Sequence, residues 1–154
     1  AVDHLRTTFA EEIEEQRLVL TEGDALGATW PNTIDAVVSN IPYQISSPLI
    51  DALEKHRQHH DVPDVVVLLV QEEFAERLTL ATVADRGSLG ICTALGWEAA
   101  MERRVPPGAF RPPPAVMSRV CVLRPTDHPT DVDHRLVRQT VHAAFHHRRR
   151  KLRT

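Results

Sequence analysis

The stretch that most constrains this chain is Val65-Val66-Val67-Leu68-Leu69-Val70, six apolar residues in succession, four of them β-branched. A half-solvated strand alternates apolar and polar residues. An unbroken run reads instead as a strand buried on both faces, which belongs in a sheet covered by helices. A second apolar run at residues 34–39 reads as a shorter buried strand. Between the two, Leu49, Ile50 and Leu53 recur at helical spacing over residues 48–57. Strand, helix, strand is the order of an α/β sheet, and such sheets bind ligands in the crevice outside the carboxyl ends of their strands.

Asn40-Ile41-Pro42-Tyr43 stands at that end of the first strand. Gln44-Ile45-Ser46-Ser47-Pro48-Leu49-Ile50 follows and reads as a helix start, with Ser46 or Ser47 as N-cap and Pro48 at the first helical position. These residue types suit one piece of chemistry. A nucleobase amine is a poor nucleophile because its lone pair is delocalised into the ring. The Asn40 side-chain oxygen and a neighbouring backbone carbonyl can each accept one amine hydrogen. Both bonds favour a pyramidal nitrogen whose lone pair points toward an electrophilic methyl. Pro42 stiffens the turn, and Tyr43 offers a face on which an extruded base can stack. The plainer reading is a turn tetrapeptide with a packed aromatic.

Elsewhere the pattern is that of an ordinary globular chain. Residues 1–16 carry Val2, Leu5, Phe9 and Ile13 at helical spacing, and residues 17–22 alternate like a short strand ended by Gly23-Asp24. By position alone, Asp24 caps the turn that follows. Residues 55–61 are polar and read as a solvated helix end. Gln71-Glu72-Glu73-Phe74-Ala75-Glu76-Arg77-Leu78 opens another helix, whose acids suit the positive end of its dipole better than a catalytic pair. Residues 97–105 and 117–124 read as two antiparallel strands. The Pro-rich stretch 106–114 between them cannot be a strand interior and must run over the surface or line a cleft. Phe110 at its centre reads as a core plug. From about residue 131, Leu136, Val137, Val141, Ala144 and Phe145 mark a helix, and the basic run Arg148-Arg149-Arg150-Lys151 follows.

Composition narrows the class. Apolar residues make up 42% of 154, enough for one core, and the net charge of −3 excludes a general polycation. The basic residues gather at the end instead, which suits phosphate contacts. Cys92 and Cys121 fit neither a disulfide framework nor a metal site and are expected as reduced thiols in the cytosol. The nine His lack Cys or carboxylate partners at ligand spacing, so no metal is expected. No apolar run spans a membrane.

Asn40-Ile41-Pro42-Tyr43-Gln44-Ile45-Ser46-Ser47-Pro48-Leu49 resembles the catalytic motif of the ribosomal RNA adenine dimethyltransferases, the KsgA-type family. Four more blocks resemble that family in the same order: Glu22-Gly23-Asp24-Ala25-Leu26, Val70 to Leu78, Val105 to Ser118, and Ala144 to Leu152. The resemblance implies a Rossmann-like class I methyltransferase fold over residues 1–125, truncated at its N-terminal strands. Residues 126–154 would then start a small helical RNA-binding domain. It implies S-adenosyl-L-methionine as cofactor, held by Gly23, Asp24, Ala25 and Asn40, with Asp24 accepting from the adenine amine. Catalysis would fall to Asn40, Pro42 and Tyr43, the substrate base to Tyr43 and Phe110, and RNA contact to Arg148, Arg149, Arg150 and Lys151. The implied reaction is N6,N6-dimethylation of adenosines in small-subunit ribosomal RNA by a cytoplasmic monomer. The alternatives are a large-subunit resistance methyltransferase and a non-catalytic assembly or transcription factor on the same scaffold.

In the family the ribose-binding acid ends a strand, so Asp3, inside a helical pattern, is not that acid. The glycine-rich loop is also missing, and the chain reads as starting after the family's first two strands. The sheet is then expected to be split between residues 17–22 and 34–39, with weak cofactor binding by residues 1–154 alone. Arg86 and Gly90 stand where the family usually has Tyr and Ser, which weakens any substrate role for that loop.

Overall fold

The computed structural model of the chain describes residues 2–82, 87–126 and 133–146. It forms two compact units, Ala1–Trp30 and Pro31–Thr154.

In the first unit the expected single helix is two, α1 (Val2–Thr8) and α2 (Ala10–Glu14). Phe9 leaves helical geometry between them at φ −114° and ψ 33°. Just before the break, the Thr7 hydroxyl donates to the Asp3 carbonyl at 2.9 Å, a back-bond of the kind that bends helices. Asp3 lies in the first turn of α1 beside Arg6, at 3.5 Å. The strand expected over residues 17–22 does not form. Those residues have no ladder partner among the described residues, and Val19 is 82% exposed. Alternation alone does not make a strand without a neighbour to bond.

The second unit contains β1 (Ala36–Asn40), α3 (Ser46–His59), β2 (Val65–Gln71), α4 (Glu72–Thr79) and α5 (Ser88–Ala94). Then come β3 (Trp97–Val105), β4 (Ser118–Pro125) and α6 (His134–His146). The sheet order is β1-β2-β4-β3. β1 and β2 are parallel in the register Asn40↔Leu69, and β4 runs antiparallel to both β2 and β3. The core holds Leu49, Ile50 and Leu53 of α3, Val66, Leu68 and Val70 of β2, Phe74 and Leu78 of α4, Trp97, Cys121 and Leu123.

Some expectations shift. β2 is fully buried on one face and half-buried on the other. β1 is not a buried strand: as the sheet's edge it alternates exposed and half-buried residues, with Val38 81% exposed. α3 begins at Ser46, after a single 3-10 turn at Tyr43–Ile45, so Ile45 and not a serine holds the N-cap position. Pro48 is then the third helical residue, tolerated because first-turn N–H groups have no intrahelical partner. α3 also runs on to His59, and His56 is buried, its ring 4.7 Å from that of His60. Desolvation, then His60, lowers the His56 pKa, against the pull of Asp61. On α6, Val137, Val141 and Phe145 are half-buried, while Leu136 and Ala144 face solvent. Arg138 of that helix lies 3.1 Å from the buried carboxylate of Glu54 on α3. A charge so buried needs such a partner.

The stretch holding Gly90, read from the sequence as a loop, is helical from Ser88, and this accounts for Gly90. A Cβ there would run into the Arg77 carbonyl of α4, and into the Leu80 side chain as well. Leu80 is held at φ +53°, where it ends α4. Gly90→Ala gains about 1 kcal/mol of helix propensity but overpacks a backbone contact, at a cost of about 1–3 kcal/mol. The expected result is a net loss of stability, read as a lower midpoint in thermal unfolding. A midpoint at or above that of the parent protein would show that α4 and α5 can move apart freely.

Candidate functional site

The parallel strands bring their carboxyl ends to one edge of the sheet, where β3 ends and β4 begins. Asn40 is the last residue of β1 and is exposed. Pro42, at φ −54° and ψ 133°, turns the chain. Its carbonyl accepts the Ile45 N–H at 3.1 Å, which fixes the carbonyl direction and leaves one lone pair free. Tyr43 opens the 3-10 turn half-buried, and its hydroxyl meets Ser118 Oγ at 2.6 Å.

Ser118 is fully buried. As the first residue of β4 it pairs with Gln71, the last of β2, and with Val105, the last of β3. Residues 106–117 therefore form a loop that leaves the sheet at Val105 and returns beside it at Ser118. That loop carries Phe110, half-buried, just after a 3-10 turn at Pro107–Ala109. The Tyr43 hydroxyl is thus tied to the root of the Phe110 loop.

A charge cluster braces the same edge. Arg104 makes a bidentate pair with Glu72, Nε to Oε1 at 2.8 Å and Nη2 to Oε2 at 2.7 Å. Arg119 Nη2 donates to Oε1 at 2.8 Å, and the Glu72 N–H donates to the Met117 carbonyl at 3.0 Å. A bulge in β3 between Met101 and Arg104 sets the register of the two arginines. The hydrogen bond from Arg104 holds the Glu72 carboxyl below the ordinary carboxylate range, against partial desolvation, with the Arg104 and Arg119 charges adding to the effect. A depressed folded-state pKa gives stability that is present above the unfolded value and lost as pH falls through the folded one. Stability should therefore fall on acidification below the usual carboxylate range, and Glu72→Gln should flatten that fall. An identical acid limb in the variant would mean the cluster contributes nothing. The sequence reading, which makes Glu72 a helix-end charge, misses this cluster. It also gives no role to Ser118, whose one signal is that it closes the Val105-to-Ser118 block.

Gly23, Asp24 and Ala25 lie in the first unit, on an open groove of about 730 Å³ formed by residues between Thr21 and Trp30. Asp24 Oδ1 accepts the Leu26 N–H at 2.9 Å, and the Asp24 carbonyl accepts the Ala28 N–H at 2.9 Å. It is an Asx turn, as position alone suggests. Oδ2 has no hydrogen bond among the described residues, so the carboxylate keeps an acceptor for an exocyclic amine. Gly23 sits at φ +156°, a conformation that L side chains rarely adopt, and that explains a glycine next to Asp24. The Trp30 indole N–H closes the loop on the Ala25 carbonyl at 2.8 Å. Both thiols are buried and free, with burial pushing Cys121 up to about 11. The basic run Arg148 to Lys151 lies outside the described residues. Among those described, no helix is long and apolar enough to cross a membrane.

The sequence model of the family described as ribosomal RNA adenine dimethylase matches residues 2–154. A probable ribosomal RNA small subunit methyltransferase A of Natronomonas pharaonis is 36% identical over 97% of this chain and 53% of its own length. The counterpart from Methanosarcina mazei is 39% identical over 99% and 53%. The chain thus spans about half the length of these relatives. Among solved structures, a dimethyladenosine transferase from Plasmodium falciparum superposes with a TM-score of 0.79 at 32% identity, over 93% of this chain and 52% of that one. The 23S rRNA methyltransferase ErmE, at 24% identity, has a TM-score of 0.72 over 96% and 58%, a likeness of fold. The sheet is therefore part of a Rossmann-like methyltransferase fold. With its five motif blocks in order and its match running from residue 2 to residue 154, the chain belongs to the ribosomal RNA adenine dimethylase family.

Proposed function

We propose that the protein carrying this chain transfers methyl groups from S-adenosyl-L-methionine to the N6 amine of adenosines in small-subunit ribosomal RNA, giving N6,N6-dimethyladenosine. One observation carries the reading: Asn40 stands exposed at the carboxyl end of β1, two residues before Pro42 and three before a Tyr43 anchored through its hydroxyl. The cofactor supplies the electrophilic methyl. Asn40 Oδ1 and the remaining lone pair of the Pro42 carbonyl accept the two amine hydrogens, turning the nitrogen lone pair out of the ring plane. Tyr43 and Phe110 hold the extruded base. Gly23, Asp24 and Ala25 would help hold the cofactor, Asp24 by accepting from its adenine amine, with Ala25 and Leu26 against that ring. The names of the relatives support the small subunit over the large one.

Labelled methyl incorporation by the full-length protein tests this directly. Label is expected in small-subunit particles, as dimethyladenosine. Label in large-subunit RNA instead would favour the resistance-type reading, and none in either would favour a non-catalytic assembly factor.

RNA contact falls to Arg148, Arg149, Arg150 and Lys151. Neutralising all four should reduce the slope of log affinity against log salt by roughly 3, since each phosphate contact releases most of one counterion. An unchanged slope would make the run a solvated tail.

A further inference from the structure

We infer that Ser118 is a positioning residue for the substrate base, acting through the Tyr43 hydroxyl. The inference rests on the reading of Tyr43 as a stacking platform. A stacking ring has no need of a hydroxyl, because every base has a π-face and a phenyl ring serves as well. Yet the Tyr43 hydroxyl is engaged at 2.6 Å by a side chain 75 residues away that is wholly buried. A tyrosine held only at its Cα swings about two side-chain torsions, the second of them broad. A hydrogen bond at the far end of the ring removes that freedom.

The anchor is itself held from both sides. Ser118 is paired on one side with Gln71 and on the other with Val105. Its neighbour Met117 accepts the Glu72 N–H at 3.0 Å. Tyr43 and the loop bearing Phe110 therefore take their positions from the same residue, the start of β4. A platform fixed in advance loses little freedom when the base arrives, so more of the stacking energy appears as capture. The cost of omitting the bond is also local, since the half-buried hydroxyl would be left without its partner.

The test compares Ser118→Ala, Tyr43→Phe and the double variant in the full-length protein, reading kcat, the KM for small-subunit particles and the unfolding midpoint. RNA affinity comes mainly from phosphate contacts, so the defect should fall on kcat with KM nearly unchanged. Each single variant should lose roughly three- to tenfold in kcat, the net worth of one hydrogen bond. The double variant should lose no more than the worse single, because both remove the same bond. Losses that multiply, or lower midpoints with kcat retained, would overturn the inference and leave a purely structural tie. Should Ser118→Ala fail to fold, Tyr43→Phe alone decides: a kcat loss at constant KM supports the role, and full kcat refutes it. If the unsubstituted protein transferred no methyl to RNA, the functional reading would fail and this inference with it. Normal transfer by the unsubstituted protein, with losses that multiply in the double variant, would overturn this inference alone.

Discussion

Asn40→Ala in the full-length protein should lower the methyl-transfer rate on the order of 10²-fold or more, by analogy with the loss of one positioned oxyanion-hole donor. RNA affinity should hardly change. The asymmetry follows from where Asn40 stands. It is the last residue of β1, exposed at the sheet edge, and the catalytic role proposed for it is toward the amine that reacts. Nucleic-acid affinity in general comes mainly from phosphate contacts, which do not depend on a side chain at the reacting amine. The effect should therefore sit in kcat, and single-turnover incorporation of labelled methyl at saturating RNA measures it. Near-normal turnover in the variant would remove Asn40 from the chemistry and return the tetrapeptide to a turn.

Tyr43→Ala and Phe110→Ala should each weaken capture of the extruded adenine by about 1–3 kcal/mol, the usual worth of a base–aromatic stack, or roughly 5- to 150-fold. The two sites differ in what else they lose. Phe110 lies in a loop and has only its ring to give up. Tyr43 also forfeits its bond to Ser118, which leaves a buried hydroxyl behind. Tyr43→Phe should therefore fall between the parent protein and Tyr43→Ala, since it keeps the ring face but not the anchor. Steady-state kinetics on small-subunit particles, with unfolding midpoints alongside, separate these cases. Equal losses with Phe and with Ala at position 43 would assign the whole effect to the hydroxyl and end the stacking role there.

Much of the architecture was legible in the residues themselves, for local reasons. The unbroken run at residues 65–70 read as a strand buried on both faces, and β2 does form there, though only one of its faces is fully buried and the other is half-buried. The alternation of residues 97–105 and 117–124, with prolines between, located β3 and β4 to within a residue. Acids at Glu72 and Glu73 marked the start of α4. The motif blocks carried the family, because ordered short motifs are a property of sequence. Residues 17–22 show the limit. Their alternation matches that of a true strand, but a strand is made by its neighbour, and the pattern says nothing about whether one is there. Solvation of β1 was likewise undecidable locally, since edge or centre is a matter of sheet order. The serines before Pro48 offered good caps, yet the 3-10 turn that closes on the Pro42 carbonyl set the helix start instead. Only the tertiary structure brought Tyr43 to Ser118, and Glu72 to Arg104 and Arg119. The residues so joined are 75, 32 and 47 apart in the chain. Residue identity determined which groups could do the chemistry; strand pairing decided which of them are held still.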